Sequence, residues 1–192
     1  MIKAVVVCED HTLDEYILKP IIEMVFREHS QQVRIQVHNN PQVRGVTQAL
    51  SRQLHSKVLA LYPMAGAFFL IVDRDCKPNR HKGNFRMRLQ EAKVSGRTMF
   101  GCITIEEVEV WALALHRREL GIDWKAIRGE CHPKEAHFEP FSKRKGWHTG
   151  PGRGRKSAMQ NLGKNEWEAL KSLCPELRTL SEEVKQWLIA PK

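Results

Sequence analysis

No apolar run in this 192-residue chain approaches the length that a bilayer-crossing helix needs, which argues against a membrane span. Cysteine is scarce and unpatterned. The five residues Cys8, Cys76, Cys102, Cys131 and Cys174 are odd in number and contain no C-x-x-C. That excludes a disulfide-framed secreted scaffold and leads us to expect a reducing cytoplasm. The N-terminus lacks a signal peptide's apolar core and is expected to enter a strand at Ile2-Lys3. Internal repeats and low-complexity tracts are also missing. Acid is the minority charge, with 22 Asp and Glu against 31 Lys and Arg, a net charge of +9. Such an excess draws polyanions, of which nucleic acid is the commonest in a cytoplasm. The remainder is ordinary: 42% apolar and 28% charged residues suit a soluble globular chain with room for one core and a modest appendage.

Against that basic background, two apolar runs end in acids. Ala67-Phe68-Phe69-Leu70-Ile71-Val72 reads as a buried strand and leads into Asp73-Arg74-Asp75. Ala4-Val5-Val6-Val7-Cys8 leads into Glu9-Asp10. Side chains alternate along an extended chain, so Asp73 and Asp75 are expected to point the same way. Carboxylates gathered on one side repel unless a cation holds them, and Mg²⁺ or Mn²⁺, with a preference for hard oxygen ligands, fits such a set. In open α/β sheets the carboxyl ends of parallel strands meet in one crevice. If the two strands are neighbours, Glu9, Asp73 and Asp75 line a single metal-binding pocket.

Strands and helices alternate over the first two-thirds of the chain. Leu13, Ile17, Ile21 and Met24 mark the buried stripe of a helix that Pro20 should kink or shorten. Val33 to Val37 alternates apolar and polar residues, as an edge strand does. Asn40-Pro41 is expected to open one helix running to Pro63, and a basic helix spans roughly Arg80 to Val94. Met99 to Ile105 reads as a fourth strand. Thr104 with Glu107 matches a capping box for a helix that carries Glu106, Glu107 and Glu109 in its first turn. The expected fold is therefore α/β: a mainly parallel four-stranded sheet flanked by helices over residues 1–120. Residues 121–192 form a basic appendage on it, loop-rich to about 156, with two short closing helices around Glu166–Leu173 and Ser181–Leu188.

Glu9 after the first strand and Asp73-Arg74-Asp75 after a later one, on such a Rossmann-like sheet, resemble the Toprim domain of topoisomerases, primases and OLD-type nucleases. Glu107-Val108-Glu109-Val110-Trp111 is similar to the Glu-hydrophobic-Glu-x-Trp signature of small stand-alone Toprim-like bacterial proteins. Cys8 to Glu15 looks like their first motif, with Asp10 where glycine is usual. The resemblance implies Mg²⁺-dependent (or Mn²⁺-dependent) chemistry at a phosphodiester. Glu9 would be a metal ligand or general acid/base, Asp73 and Asp75 metal ligands, Glu109 a further acidic ligand and Lys156 the lysine that steadies transition-state charge. It also implies a role in bacterial defence or nucleic-acid turnover, with companion proteins from the same system. Strand passage needs a nucleophilic tyrosine, and only Tyr16 and Tyr62 exist, both expected in helical cores.

Two basic regions are candidate nucleic-acid contacts. Lys77, Arg80, Lys82, Arg86 and Arg88 follow the D-x-D directly, and Lys143, Arg144, Lys145, Arg153, Arg155 and Lys156 surround Trp147, which could stack on a base. Cys131, His132, His137 and His148 match no structural zinc spacing. Two other readings stay open: a receiver-like phosphoacceptor domain, which requires a lysine after a fifth strand, and a nucleic-acid-binding module without turnover.

Overall fold

The computed structural model describes residues 1–76, 79 and 81–190, so Lys77 and Arg80 lie outside the described residues. Four strands, β1 (Ile2–Val7), β2 (Val33–Val37), β3 (Ala67–Val72) and β4 (Met99–Ile103), form one all-parallel sheet in the order β2-β1-β3-β4. The two central strands are apolar without interruption because both faces are covered. Ala4, Val6, Phe69 and Ile71 face one core, whereas Val5, Val7, Phe68, Leu70 and Val72 face the other. β2 lies at an edge, and its alternating exposure follows from having one wet face.

On the first face pack α1 (Glu15–Arg27), which runs through Pro20, and α5 (Glu109–Leu115). On the second face pack α2 (Val46–Ala49), α3 (Arg52–Leu61) and α4 (Lys82–Val94). The single helix expected from Asn40-Pro41 to Pro63 is thus two. Gly45 turns the chain at φ 76° before α2, and Ser51 is extended, its Oγ accepting the Leu54 N–H at 3.2 Å to cap α3. The apolar spacing from Val43 to Val58 continues across the break because both pieces cover the same sheet face, whereas Leu61, expected on that stripe, is exposed.

Beyond α5 the chain is more helical than its composition suggests. It contains α6 (Arg117–Leu120), α7 (Trp124–Gly129), a π-helical turn at Lys134–Phe138, α8 (Glu139–Arg144), a 3-10 turn at Pro151–Gly154 and α9 (Arg155–Ala158). Pieces this short carry too few apolar positions for a 3.6-residue period to show. α10 (Lys164–Leu173) and α11 (Pro175–Ile189) are longer than the closing helices expected, and Trp167, Leu177, Leu180 and Val184 join the core beneath α1 and β4.

The cysteines depart from expectation. Cys76 and Cys131 form a disulfide, Cα atoms 5.2 Å apart, while Cys8, Cys102 and Cys174 are free and buried. Folding brings together two cysteines 55 residues apart, a proximity that no local spacing encodes.

Candidate functional site

β1, β3 and β4 are neighbours, so the acids that follow them open into one cleft of about 490 Å³ at the carboxyl edge of the sheet. Glu9 follows β1, and Asp73 follows β3. The Asp73 backbone N–H donates to Glu9 Oε1 at 2.8 Å, and the Val46 N–H also bonds the Glu9 carboxylate. Asp73 Oδ1 accepts from the Thr104 hydroxyl at 2.8 Å and from the Val108 N–H at 3.1 Å. Thr104 is fully buried and serves the site rather than capping a helix, which is why α5 begins only at Glu109. Glu107 and Glu109 reach the same cleft from β4's side, and Asp14 reaches it from the start of α1.

The basic groups in the cleft come from elsewhere in the chain. Arg155 is buried and ion-paired with buried Glu109, and its Nη1 donates to the Gly152 carbonyl at 2.9 Å. Lys134 donates its backbone N–H to Glu107 Oε2 at 2.7 Å, and Arg44 lines the opposite wall. Lys156, the expected charge-steadying lysine, is exposed and does not line the cleft; its neighbour Arg155 does.

Asp75 is placed differently from the alternation argument. β3 ends at Val72, and Asp75 and Cys76 both adopt left-handed backbone at φ 52° and 54°. Asp75 does not line the cleft, although its charge acts on Glu9. The turn is clamped by Glu106, which takes an ion pair from Arg74 and the Cys76 N–H at 2.6 Å. Neither Glu106 nor Glu107 lies in α5.

Electrostatics mark the cleft. Burial, reinforced by the Asp75 and Glu107 charges, pushes Glu9 up to about 7 despite the Asp73 N–H. Burial raises Glu107 to about 7, with Glu109 and Glu135 adding to it. Burial and Glu109 raise Asp14 to about 8 against the pull of Arg155. Asp73 is raised by burial and by Glu9, Glu109 and Asp14. The carboxylates therefore need either protons or a cation. Only Oδ1 of Asp73 is hydrogen-bonded among the described residues, so its second oxygen can take a metal. Glu9 and Asp73 with retained waters match the way Mg²⁺ is held, by one or two carboxylates rather than a full protein cage. Elsewhere, Glu107, His132 and Glu135 bring their donor atoms within 4.8 Å of one another at the rim, two of the three exposed.

A pH dependence follows. In the unfolded chain these acids titrate near their ordinary values of about 4. Between those values and the raised ones, the folded protein binds more protons, so their stabilising contribution is complete at low pH and lost as pH rises to about 8. Asp14→Asn keeps an oxygen for the Asp10 N–H, which lies 3.2 Å away, and removes one titration. Without metal, D14N should nearly match the parent protein at pH 4 and exceed it by up to about 5 kcal/mol at pH 8 in chemical denaturation, since each unit of raised pKa is worth about 1.4 kcal/mol. A constant difference across pH would mean that Asp14 takes up no proton on folding.

The other sequence candidates are dispersed. Lys82 and Arg86 are exposed on the first turns of α4, but Arg88 is buried between α3 and α4 beside Glu91, 3.0 Å from it. Lys143 and Arg153 are exposed. Arg144 donates to the Glu119 carbonyl at 2.9 Å, and Lys145 pairs with the Glu119 carboxylate at 2.5 Å. Trp147 does not stand free to stack on a base: it packs against His116 and Phe141, ring centroids 5.3 and 5.7 Å away. Sequence patterns do not mark Asp14, Thr104 or Lys134 as site residues; Asp14 alone has a signal, lying inside the Cys8–Glu15 motif. No protein-family model, curated protein or solved structure matches the chain.

Proposed function

We propose that this cleft binds Mg²⁺ or Mn²⁺ and hydrolyses phosphodiesters of nucleic acid, as a Toprim-type nuclease. The observation that carries the reading is the convergence of acids from three adjacent parallel strands, with Asp73 fixed through one oxygen and open at the other. Glu9 and Asp73 hold the metal, and Glu107 completes the acidic wall. A bound divalent cation polarises a phosphoryl oxygen and lowers the pKa of its water. Arg44 and Lys134 offset the repulsion between the carboxylates and an incoming phosphate. Arg155, held by Glu109, sets the local charge from below. Among the described residues no tyrosine lines the cleft, which suits hydrolysis by water. The cytoplasmic setting rests on the scattered cysteines, whereas companion proteins and a role in bacterial defence or nucleic-acid turnover follow from the family resemblance alone.

Two assays test this. Labelled DNA and RNA should be cut with Mg²⁺ or Mn²⁺ and spared with EDTA; binding without cleavage at any metal concentration would leave a non-catalytic module. Separately, K82Q/R86Q should weaken binding to every sequence alike, because phosphate contacts carry affinity without reading bases. Its log–log salt slope should fall by about 0.7 to 0.9 for each phosphate that is no longer neutralised. K143Q/R144Q/K145Q is the comparison. If that variant loses affinity and salt slope while the helix variant keeps both, the substrate lies on the distal face.

A further inference from the structure

The Cys76–Cys131 disulfide joins the segment that follows Asp73 to the one that precedes Lys134, and both of those residues line the cleft. Cys76 directly follows Asp75 and ends the turn that starts at Asp73. Cys131 lies three residues before Lys134, whose N–H holds Glu107. Without the bond, the Cys76 side has Glu106 as its clamp, through Arg74 and the Cys76 N–H. Two successive non-glycine residues, Asp75 and Cys76, occupy the left-handed region, a conformation that surrounding structure must enforce. The bond is also reachable, since Cys76 is exposed and Cys131 partly so, whereas the other three cysteines are buried. Exposed disulfides are the ones that exchange with thiols.

We propose that the Cys76–Cys131 pair is a thiol–disulfide switch that sets the metal affinity of the cleft. The inference rests on the metal-binding reading above. The co-reactant is a low-molecular-weight disulfide such as oxidised glutathione. One cysteine thiolate attacks it, forming a mixed disulfide and releasing one glutathione thiolate; the second cysteine then displaces the other. Two cysteine thiols are oxidised, one glutathione disulfide is reduced to two thiols, and two protons stay with the products. The oxidised pair holds the Asp73–Cys76 turn against Glu107 and Lys134, so the ligands are in place before the cation arrives. Reduction leaves Arg74 to Cys76 held by Glu106 alone, and binding must then complete the ordering of the turn.

The test uses the full chain poised in glutathione buffers, with the bond scored by alkylation and mass spectrometry and Mn²⁺ affinity measured by calorimetry. Oxidised protein should bind Mn²⁺ about tenfold more tightly than reduced protein, the scale of ordering one residue's backbone. C131S should bind like reduced protein under both conditions. Equal Mn²⁺ affinity in the two states overturns the switch and leaves the metal site standing. Absence of Mn²⁺ binding in both states overturns the site reading and the switch with it. A pair that stays fully reduced across the glutathione range overturns the switch alone.

Discussion

Asp73→Asn should abolish the Mn²⁺ binding proposed for the cleft and leave the fold intact. The amide keeps an oxygen where Thr104 and Val108 donate, so the hydrogen bonds that place the side chain survive. What disappears is the negative charge and the second carboxylate oxygen. Even residues one step removed from a metal cost about 10- to 100-fold in affinity when changed, so a direct ligand should cost about 100-fold or more. The same change removes a carboxylate that burial and three neighbouring acids hold in an unfavourable state, so the metal-free variant should melt at or above the parent temperature. Calorimetric Mn²⁺ titration and metal-free melting curves together decide the matter. Normal Mn²⁺ affinity with a large loss of metal-free stability would make Asp73 a structural acid, and the site would then lie elsewhere.

The sequence exposes this fold where burial is symmetric and hides it where contacts are distant. β1 and β3 are legible because strands covered on both faces must be apolar throughout, and β2 because an edge strand alternates. Glu9 and Asp73 are legible for the same reason, as each is the first acid after such a run. Asp75 is not, because the alternation rule holds only while the chain stays extended, and the backbone turns left-handed two residues past Asp73. Thr104 carries a misleading local signal. The spacing of Thr104 and Glu107 matches a capping box, yet a strand-end threonine beside Asp73 gains more by donating its hydroxyl to that carboxylate. Arg88 looks like part of a basic helix face, but it falls on the side of α4 that packs against α3. The basic groups of the cleft and the Cys76–Cys131 pairing depend on the tail folding back, and no local pattern records that.

Arg155→Gln should be among the most damaging single changes in the tail. The Arg155 and Glu109 side chains are 4% and 3% exposed, so the pair is formed almost out of reach of water. Arg155 also sits over the Phe138 ring, 5.4 Å from its centroid. Glu109 lies close enough to Asp14 and Asp73 to raise both, so the guanidinium offsets more than one acid. Removing one partner of a buried pair leaves the other charge uncompensated, at a cost of about 3–5 kcal/mol. For a chain of this size that is a fall of about 6–20 °C in melting temperature. Glu109→Gln introduced beside it should restore more than about 1 kcal/mol, since the pair couples directly. Lys156→Gln, one residue away but exposed, should stay within about 0.5 kcal/mol of the parent. Chemical denaturation of the parent, Arg155→Gln, Glu109→Gln, the double variant and Lys156→Gln measures these values. Additive effects from the two buried changes would show that Arg155 stabilises the tail through packing and does not compensate the acids of the cleft.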